Sequence, residues 1–316
     1  MKKYHNVALI ILVTISLISI TITALTATYT LSEKNFSKEY NPDSGPDTTF
    51  PASRTSDYKL EPNVTEWYYT EHSTFVVETN SEGWRDREYS KEPEKDKLRI
   101  AAVGDSVTFG RRVNNSQNWP SIAENLLEDS DEQDIEVINF GSVGEDAQDK
   151  AETIDNWVLE YEPDMILLQL SQHDEQNLTR INELEEEYSE NNSLDSGEIH
   201  TKAVRKEDEE RKAGSANETM LTITNALKDI ESLTSSKEVP VIVLSYEMRE
   251  GQNQILSNYT EEMYWEFHSL KNIDTEYRIP SEGYLKPSGH EKIAKDIVEN
   301  LSGKILDYDS NSSESE

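Results

Sequence analysis

The stretch LRIAAVGDSVTFG, residues 98–110, decides the fold predicted for this chain. Its apolar run from Ile100 to Val103 follows a charged segment and precedes a glycine, a pattern typical of a fully buried parallel strand. Gly104, Asp105 and Ser106 form the turn at the carboxyl end of this strand, where open α/β sheets bind their ligands. The Ser106 hydroxyl is therefore a candidate nucleophile, and a helix-capping serine is the alternative.

Further apolar runs alternate with amphipathic stripes along the chain. Strands are predicted at 135–140, 165–170 and 239–244, and helices at 119–127, 147–161, 220–230 and 293–305. Trp265, Phe267 and Leu270 are assigned to one more helix, and residues 67–77 to a hairpin or edge strand. This alternation predicts a three-layer α/β/α, flavodoxin-like sandwich with a parallel sheet of about five strands.

The composition is strongly acidic, with 63 Asp and Glu against 30 Lys and Arg and a formal net charge of −33. Phosphates would be repelled, so nucleic acid is excluded as a partner. Such a surface repels itself unless salt screens it, so we expect a high-salt habitat; a folded fraction that does not rise with added salt would contradict this. Without cysteine, P-loop or HExxH pair, no cofactor or metal is expected.

Residues 7–27 form an uncharged apolar run that matches the roughly 30 Å hydrocarbon core of a bilayer. Lys2 and Lys3 precede it and acidic sequence follows, which predicts a cytoplasmic N-terminus at residues 1–6 and an exterior domain. A cleaved signal peptide is the alternative, but the run is long and no good A-x-A site follows. We therefore expect a single-pass anchor, with the membrane as partner.

Beyond the anchor, residues 28–79 are predicted to form a stalk and accessory segment, residues 80–306 the main domain, and residues 307–316 a disordered tail. Residues 175–217 are acidic and poor in apolar side chains, which favours a solvated insertion. Asn-x-Ser/Thr sequons, which agree with an exterior location and glycosylation, begin at Asn35, Asn63, Asn114, Asn177, Asn191, Asn217, Asn258, Asn300 and Asn311.

Three of the predicted turns, taken in order, resemble the motifs of the SGNH (GDSL-type) hydrolase family over residues 80–306. Gly104-Asp105-Ser106 resembles the first block, whose serine is the nucleophile. The stretch from Asn139 to Gly144 resembles the second block, which implies that the backbone N–H of Gly144 donates to the oxyanion. The resemblance implies acyl transfer from an ester to water or to another hydroxyl, without a cofactor.

Two blocks depart from the family pattern. The third usually reads Gly-x-Asn-Asp, whereas here His173 stands in place of the asparagine that donates to the oxyanion. In the last block, Glu282 stands at the aspartate and Tyr284 at the histidine that serves as the base. A phenol titrates at about 10 and is a poor base, and a glutamate serves only where desolvation raises its pKa.

The base that activates Ser106 is therefore open at this point. His173 follows a strand beside the serine turn, so it can donate to an oxyanion or accept the Ser106 proton, with Asp174 orienting it. A loop histidine without chemistry is the alternative. His290 begins the last helix, where the resemblance implies a noncatalytic histidine, and is a second candidate for the base.

Two functions remain. The first is a surface-anchored SGNH-type esterase or acyltransferase that acts on an acylated small molecule or surface glycan. The second is a noncatalytic relative that keeps the cleft and binds surface glycans. The intact turn at Ser106 favours the first function, and Tyr284 at the position of the base favours the second.

Overall fold

The computed structural model describes residues 59–70, 72–95, 97–128, 134–175, 202–203, 206, 220–280 and 282–312. The predicted anchor, most of the predicted stalk and nearly all of the predicted insertion lie outside these residues. Within them, no helix combines the length and the apolar character that crossing a bilayer requires.

Strands and helices alternate from the third strand onward. The strands are β1 (Thr65–Tyr69), β2 (Thr74–Glu78), β3 (Lys97–Gly104), β4 (Asp134–Gly141), β5 (Met165–Ser171), β6 (Val241–Tyr246) and β7 (Glu266–Ser269). The helices are α1 (Ser106–Phe109), α2 (Trp119–Glu128), α3 (Ala147–Asn156), α4 (Leu221–Ser235), α5 (Glu250–Glu262) and α6 (Pro287–Ser312).

The central sheet is parallel, in the order β4-β3-β5-β6-β7. This order is flavodoxin-like, and the strand order reverses between β3 and β5. The predicted parallel sheet of five strands is confirmed. The chain runs from β3 to β4 on one side of this point and from β5 to β6 on the other. Because the two connections diverge, a crevice opens outside the carboxyl ends of β3 and β5.

Strand β3 has an unbroken apolar run because both of its faces are buried. Ile100 and Ala102 pack in a core with α2 and α6, whereas Ala101 and Val103 pack in a second core with α3 and α4. Helices on both faces of a parallel sheet produce this pattern. The predicted layers of helix, sheet and helix are thereby present.

Strand β7 corrects the helix predicted at Trp265, Phe267 and Leu270. Phe267 pairs with Val243 of β6 in a parallel register. The edge strand is short and only partly buried, so its few apolar residues do not alternate clearly. Pairing with a distant strand therefore decided its conformation, which local periodicity could not reveal.

Several element boundaries also differ from the prediction. The helix predicted at 147–161 ends at Asn156, and residues 158–161 form a 3₁₀ turn. Strand β6 begins at Val241, and α6 continues to Ser312, past the point where the tail is predicted to begin. Helix ends of this kind are weakly marked in sequence.

The hairpin β1-β2 is antiparallel and is fastened to the sheet domain. The backbone N–H of Val76 donates to Asn114 Oδ1 over 2.9 Å, and Asn115 Nδ2 donates to the Glu78 carbonyl over 2.8 Å. Arg85 Nη2 also donates to the Val76 carbonyl, over 3.1 Å. Strand β2 is thus held by Arg85 and by the loop that follows α1.

Gly141 ends β4 directly against the backbone of α1. A Cβ at this position would lie 2.2 Å from the Phe109 nitrogen and 2.6 Å from the Thr108 carbonyl carbon. We expect Gly141→Ala to displace α1 and destabilise the protein by about 1–3 kcal/mol, measured by urea unfolding. The matched control is Gly303→Ala in α6, where a Cβ meets nothing within 4 Å and alanine favours the helix. Equal stabilities of the two variants would contradict the prediction.

Candidate active site

Ser106 is the first residue of α1 and follows β3 at the crevice between β3 and β5. Asp105 caps this helix, since its Oδ1 accepts from the Val107 N–H over 2.8 Å. Asp105 Oδ2 accepts from the Ser171 hydroxyl over 2.7 Å, which ties the turn to the end of β5. The turn is therefore held from two sides, and Ser106 remains half-buried beside it.

A cavity of about 310 Å³ lies at these strand ends. Its walls come from the segments after β3, β5 and β6 and from the chain that leads into α6. The described residues that line it are Asp105, Ser106, Val107, Arg111, Ser171, Gln172, Tyr246, Glu247, Arg278, Glu282, Gly283, Tyr284, Leu285 and His290. Ser106 therefore shares one cavity with the residues of the predicted last block.

Gly144 and His173, the predicted oxyanion donor and base, are not among the described residues that line the cavity. Gly144 has φ of +82° and is exposed, and it is not among the described lining residues. Its loop approaches the serine turn, because the Ser142 N–H donates to the Gly104 carbonyl over 2.9 Å. His173 belongs to the 3₁₀ turn that follows β5, and its side chain lies outside the described part of the structure.

Asp174 is fully buried and forms an ion pair with Lys150 of α3, which is also fully buried. Its Oδ2 accepts from the Ser171 N–H over 2.6 Å. Burial raises the pKa of Asp174 to about 6, although Lys150 opposes this rise. Burial alone would lower the pKa of Lys150, but the charges of Asp174 and Asp105 hold it above its usual value. Asp174 thus fixes the end of β5 and lies outside the cavity lining.

Two arginines lie against Glu282 and Tyr284, the residues predicted to stand at the aspartate and histidine of the family that the sequence resembles. Arg112 Nε lies 2.6 Å from Glu282 Oε2. The guanidinium carbons of Arg111 and Arg112 lie 4.5 and 5.6 Å from the centre of the Tyr284 ring. Glu282 is consequently engaged as an ion-pair partner, and this corner of the cavity holds a phenol where the family has an imidazole.

His290 lines the cavity but is a poor candidate for the base. Its side chain is 1% exposed. Burial, together with the positive charge of Arg85, lowers the pKa of His290 to about 3. A base must become cationic when it takes a proton, and this environment opposes that charge. These surroundings favour a neutral imidazole, and the assignment of His290 as the base stays an alternative prediction.

Four lining residues were missed by sequence reasoning: Tyr246, Glu247, Arg278 and Arg111. Arg278 Nη2 donates to Tyr246 Oη over 2.8 Å and also contacts Glu247. Tyr246 ends β6 and Glu247 follows it, so the rule that ligands bind at carboxyl strand ends could have found them. Arg278 has no local signal, because it reaches the cavity from a segment between β7 and α6.

No protein-family profile matches the chain, and no curated protein matches its sequence. Solved structures do resemble it. A lipolytic protein of the G-D-S-L family from Desulfitobacterium hafniense is 18% identical, with 64% of this chain and 98% of that chain covered and a TM-score of 0.43. Esterase EstA from Pseudoalteromonas sp. is 10% identical, with 66% and 98% covered and a TM-score of 0.47.

A two-domain esterase active on acetylated mannans is 15% identical, with 67% of this chain and 49% of that chain covered and a TM-score of 0.44. Identities below 25% and TM-scores below 0.5 do not establish a shared activity.

Proposed function

We propose that this chain is a serine ester hydrolase or acyltransferase of the SGNH type, with Ser106 as the nucleophile. The observation that carries the proposal is the position of Ser106, at the carboxyl end of β3 and in the wall of a cavity of about 310 Å³. A rigid turn at that place holds the serine hydroxyl in position against the carbonyl carbon of a bound ester. Nucleophilic catalysis requires this positioning.

In the proposed reaction, Ser106 Oγ attacks the acyl carbon while its proton passes to a base. The bond between the acyl carbon and the alcohol oxygen breaks, and the alcohol leaves with the proton. Water or a second hydroxyl then attacks the acyl-enzyme and restores Ser106. The N–H groups of Ser106 and Gly144 are the proposed donors to the oxyanion.

His173 is the proposed base. Its turn follows β5, and the adjacent Ser171 and Gln172 line the cavity. The other candidates are engaged elsewhere or opposed by their surroundings: Glu282 is paired with Arg112, and His290 is held neutral. Of the two histidines in the motifs that resemble the family, His173 is therefore the one proposed for the proton transfer.

A fluorophosphonate probe tests the assignment. We expect the probe to label Ser106 in the native chain and in His290→Ala, and labelling to fall at least about 100-fold in His173→Ala, since general-base catalysis contributes roughly this much. Intact-mass measurement over time gives the rates. Equal rates in the two histidine variants would remove His173 from the mechanism, and no labelling of the native chain in high salt would reject the enzyme itself.

The second candidate is a noncatalytic protein that binds surface glycans in the same cavity. The observation that favours it is Tyr284 beneath two guanidinium groups, where a serine hydrolase of this type has its histidine. Such a protein binds acetylated sugars without releasing acetate and leaves the probe unreacted. The labelling experiment therefore distinguishes the two functions.

We also propose that residues 7–27 anchor the protein in the cell membrane, with the domain outside and a surface glycan ester as the substrate. The uncharged run and the lysines that precede it support the anchor. The full chain is expected to sediment with membranes, and a chain that begins at residue 28 to remain in the supernatant. If both forms remain in the supernatant, the anchor is wrong.

A further inference from the structure

His290 places a buried ring nitrogen at the wall of the cavity. It lies in the first turn of α6, lines the cavity that also contains Ser106, and is 1% exposed. Its Nδ1 has no hydrogen-bond partner within the described residues. Because buried polar atoms in folded proteins are nearly always hydrogen-bonded, an unpaired one in a cavity wall indicates a ligand group that completes it.

The surroundings define the chemistry of that group. The imidazole is neutral, because burial and the nearby Arg85 oppose its cationic form. Its Nδ1 is a donor in one tautomer and an acceptor in the other. A hydroxyl can pair with either tautomer. A carboxylate fits less well, because it is an acceptor only and can pair with one tautomer alone.

The other lining residues limit what the hydroxyl belongs to. Val107 and Leu285 are the aliphatic members of the described lining, and most of the others are charged or polar. The cavity, about 310 Å³, is at the small end of the range for ligand sites. A long hydrocarbon chain would desolvate these polar groups, whereas a short acyl group on a hydroxylated alcohol offers them hydrogen bonds.

We infer that His290 is a specificity residue, which binds a hydroxyl of the alcohol portion in short-chain esters of polyhydroxylated alcohols such as sugars. The inference rests on the proposed ester hydrolysis at Ser106. The hydroxyl forms a hydrogen bond with His290 Nδ1 on the wall of the cavity while the ester group lies at Ser106. Esters that lack the hydroxyl leave the imidazole unpaired and desolvated, which weakens their binding.

Two esters that differ by one hydroxyl test this inference: 2-hydroxypropyl acetate and propyl acetate. For the native chain we expect kcat/KM to be about tenfold higher with the hydroxylated ester, a typical ratio for one hydrogen bond. In His290→Leu this ratio falls to about one, mainly because KM for the hydroxylated ester rises. His290→Asn, which places an amide near the position of Nδ1, is expected to restore part of the ratio.

Two outcomes of this comparison would overturn the inference. An unchanged ratio in His290→Leu would show that the imidazole does not bind the hydroxyl. An equal fall of kcat for both esters would assign His290 to the chemical step. The matched control is His72→Leu, since His72 is exposed and lies outside the cavity lining. Thermal unfolding of each variant verifies that it is folded.

Binding to the Ser106→Ala variant separates this inference from the proposed catalysis. The probe is 2-hydroxypropyl acetate, followed by the ¹⁵N shifts of the histidine ring. We expect the His290 resonances to move, and the Kd to rise about tenfold when His290→Leu is added. If the native chain is not labelled and hydrolyses neither ester, the proposed function fails while this measurement still decides the role of His290. Unmoved resonances, or an equal Kd, would reject it.

Discussion

Ser106→Ala is expected to lower kcat/KM for acetate esters by about 10³-fold or more and to abolish labelling by a fluorophosphonate. The reason is that Ser106 Oγ forms the covalent intermediate in the proposed reaction, and alanine has no hydroxyl to replace it. Acetate release at fixed pH gives the rates. Because Ser106 is half-buried and its side chain does not cap α1, the stability of the variant should be close to that of the native chain.

A matched control is Ser235→Ala at the end of α4. Its hydroxyl donates to the Glu231 carbonyl within the helix and lies outside the cavity lining. This variant should hydrolyse acetate esters at the native rate. If Ser106→Ala and Ser235→Ala have equal activity, Ser106 is not the nucleophile.

Lys150→Met is expected to destabilise the protein by about 3–5 kcal/mol, measured by urea unfolding. Methionine is close to lysine in shape and leaves no void. The carboxylate of Asp174, however, then stays fully buried without its cation. The cost is that of an uncompensated buried charge or of the protonation that removes it, because removing one partner of a buried ion pair leaves the other desolvated.

Two comparisons isolate that charge. Lys295→Met removes an exposed lysine that pairs with Glu291 one helical turn away, and it should leave the unfolding transition almost unchanged. Adding Asp174→Asn to Lys150→Met removes the buried charge and keeps an acceptor for the Ser171 N–H, so most of the lost stability should return. A native-like transition for Lys150→Met alone would contradict the prediction.

Hydrogen bonds connect the ion pair of Lys150 and Asp174 to the turn that carries Ser106. Ser171 donates two hydrogen bonds to buried carboxylates: its N–H donates to Asp174, and its hydroxyl donates to Asp105. Asp105 in turn caps the helix that begins with Ser106. The buried Lys150 therefore supports the serine turn through two carboxylates, although it does not line the cavity.

Where sequence reasoning succeeded, the information was local. The run from Ile100 to Val103 is apolar at every position because both faces of β3 are covered, and the turn that follows is marked by Gly104. These features depend on neighbours within a few residues. Ser106 could for that reason be placed at the strand end from the sequence alone.

Where it failed, the deciding partners were far apart in the chain. Strand β7 exists because it pairs with β6, and the pKa of His290 is lowered by burial in the assembled fold and by Arg85, which lies more than 200 residues earlier. Tyr284 and Glu282 could be read as substitutions in a motif, but their contacts with Arg111 and Arg112 depend on how two loops meet.

The amino-acid sequence by itself determined the layered α/β architecture and the position of Ser106, because burial patterns and turns are encoded within single elements. Only the tertiary structure decided which side chains share the cavity and which charges each one faces. Burial and electrostatic fields are properties of the assembled fold, so the neutral state of His290 and the buried ion pair of Asp174 could be found only there.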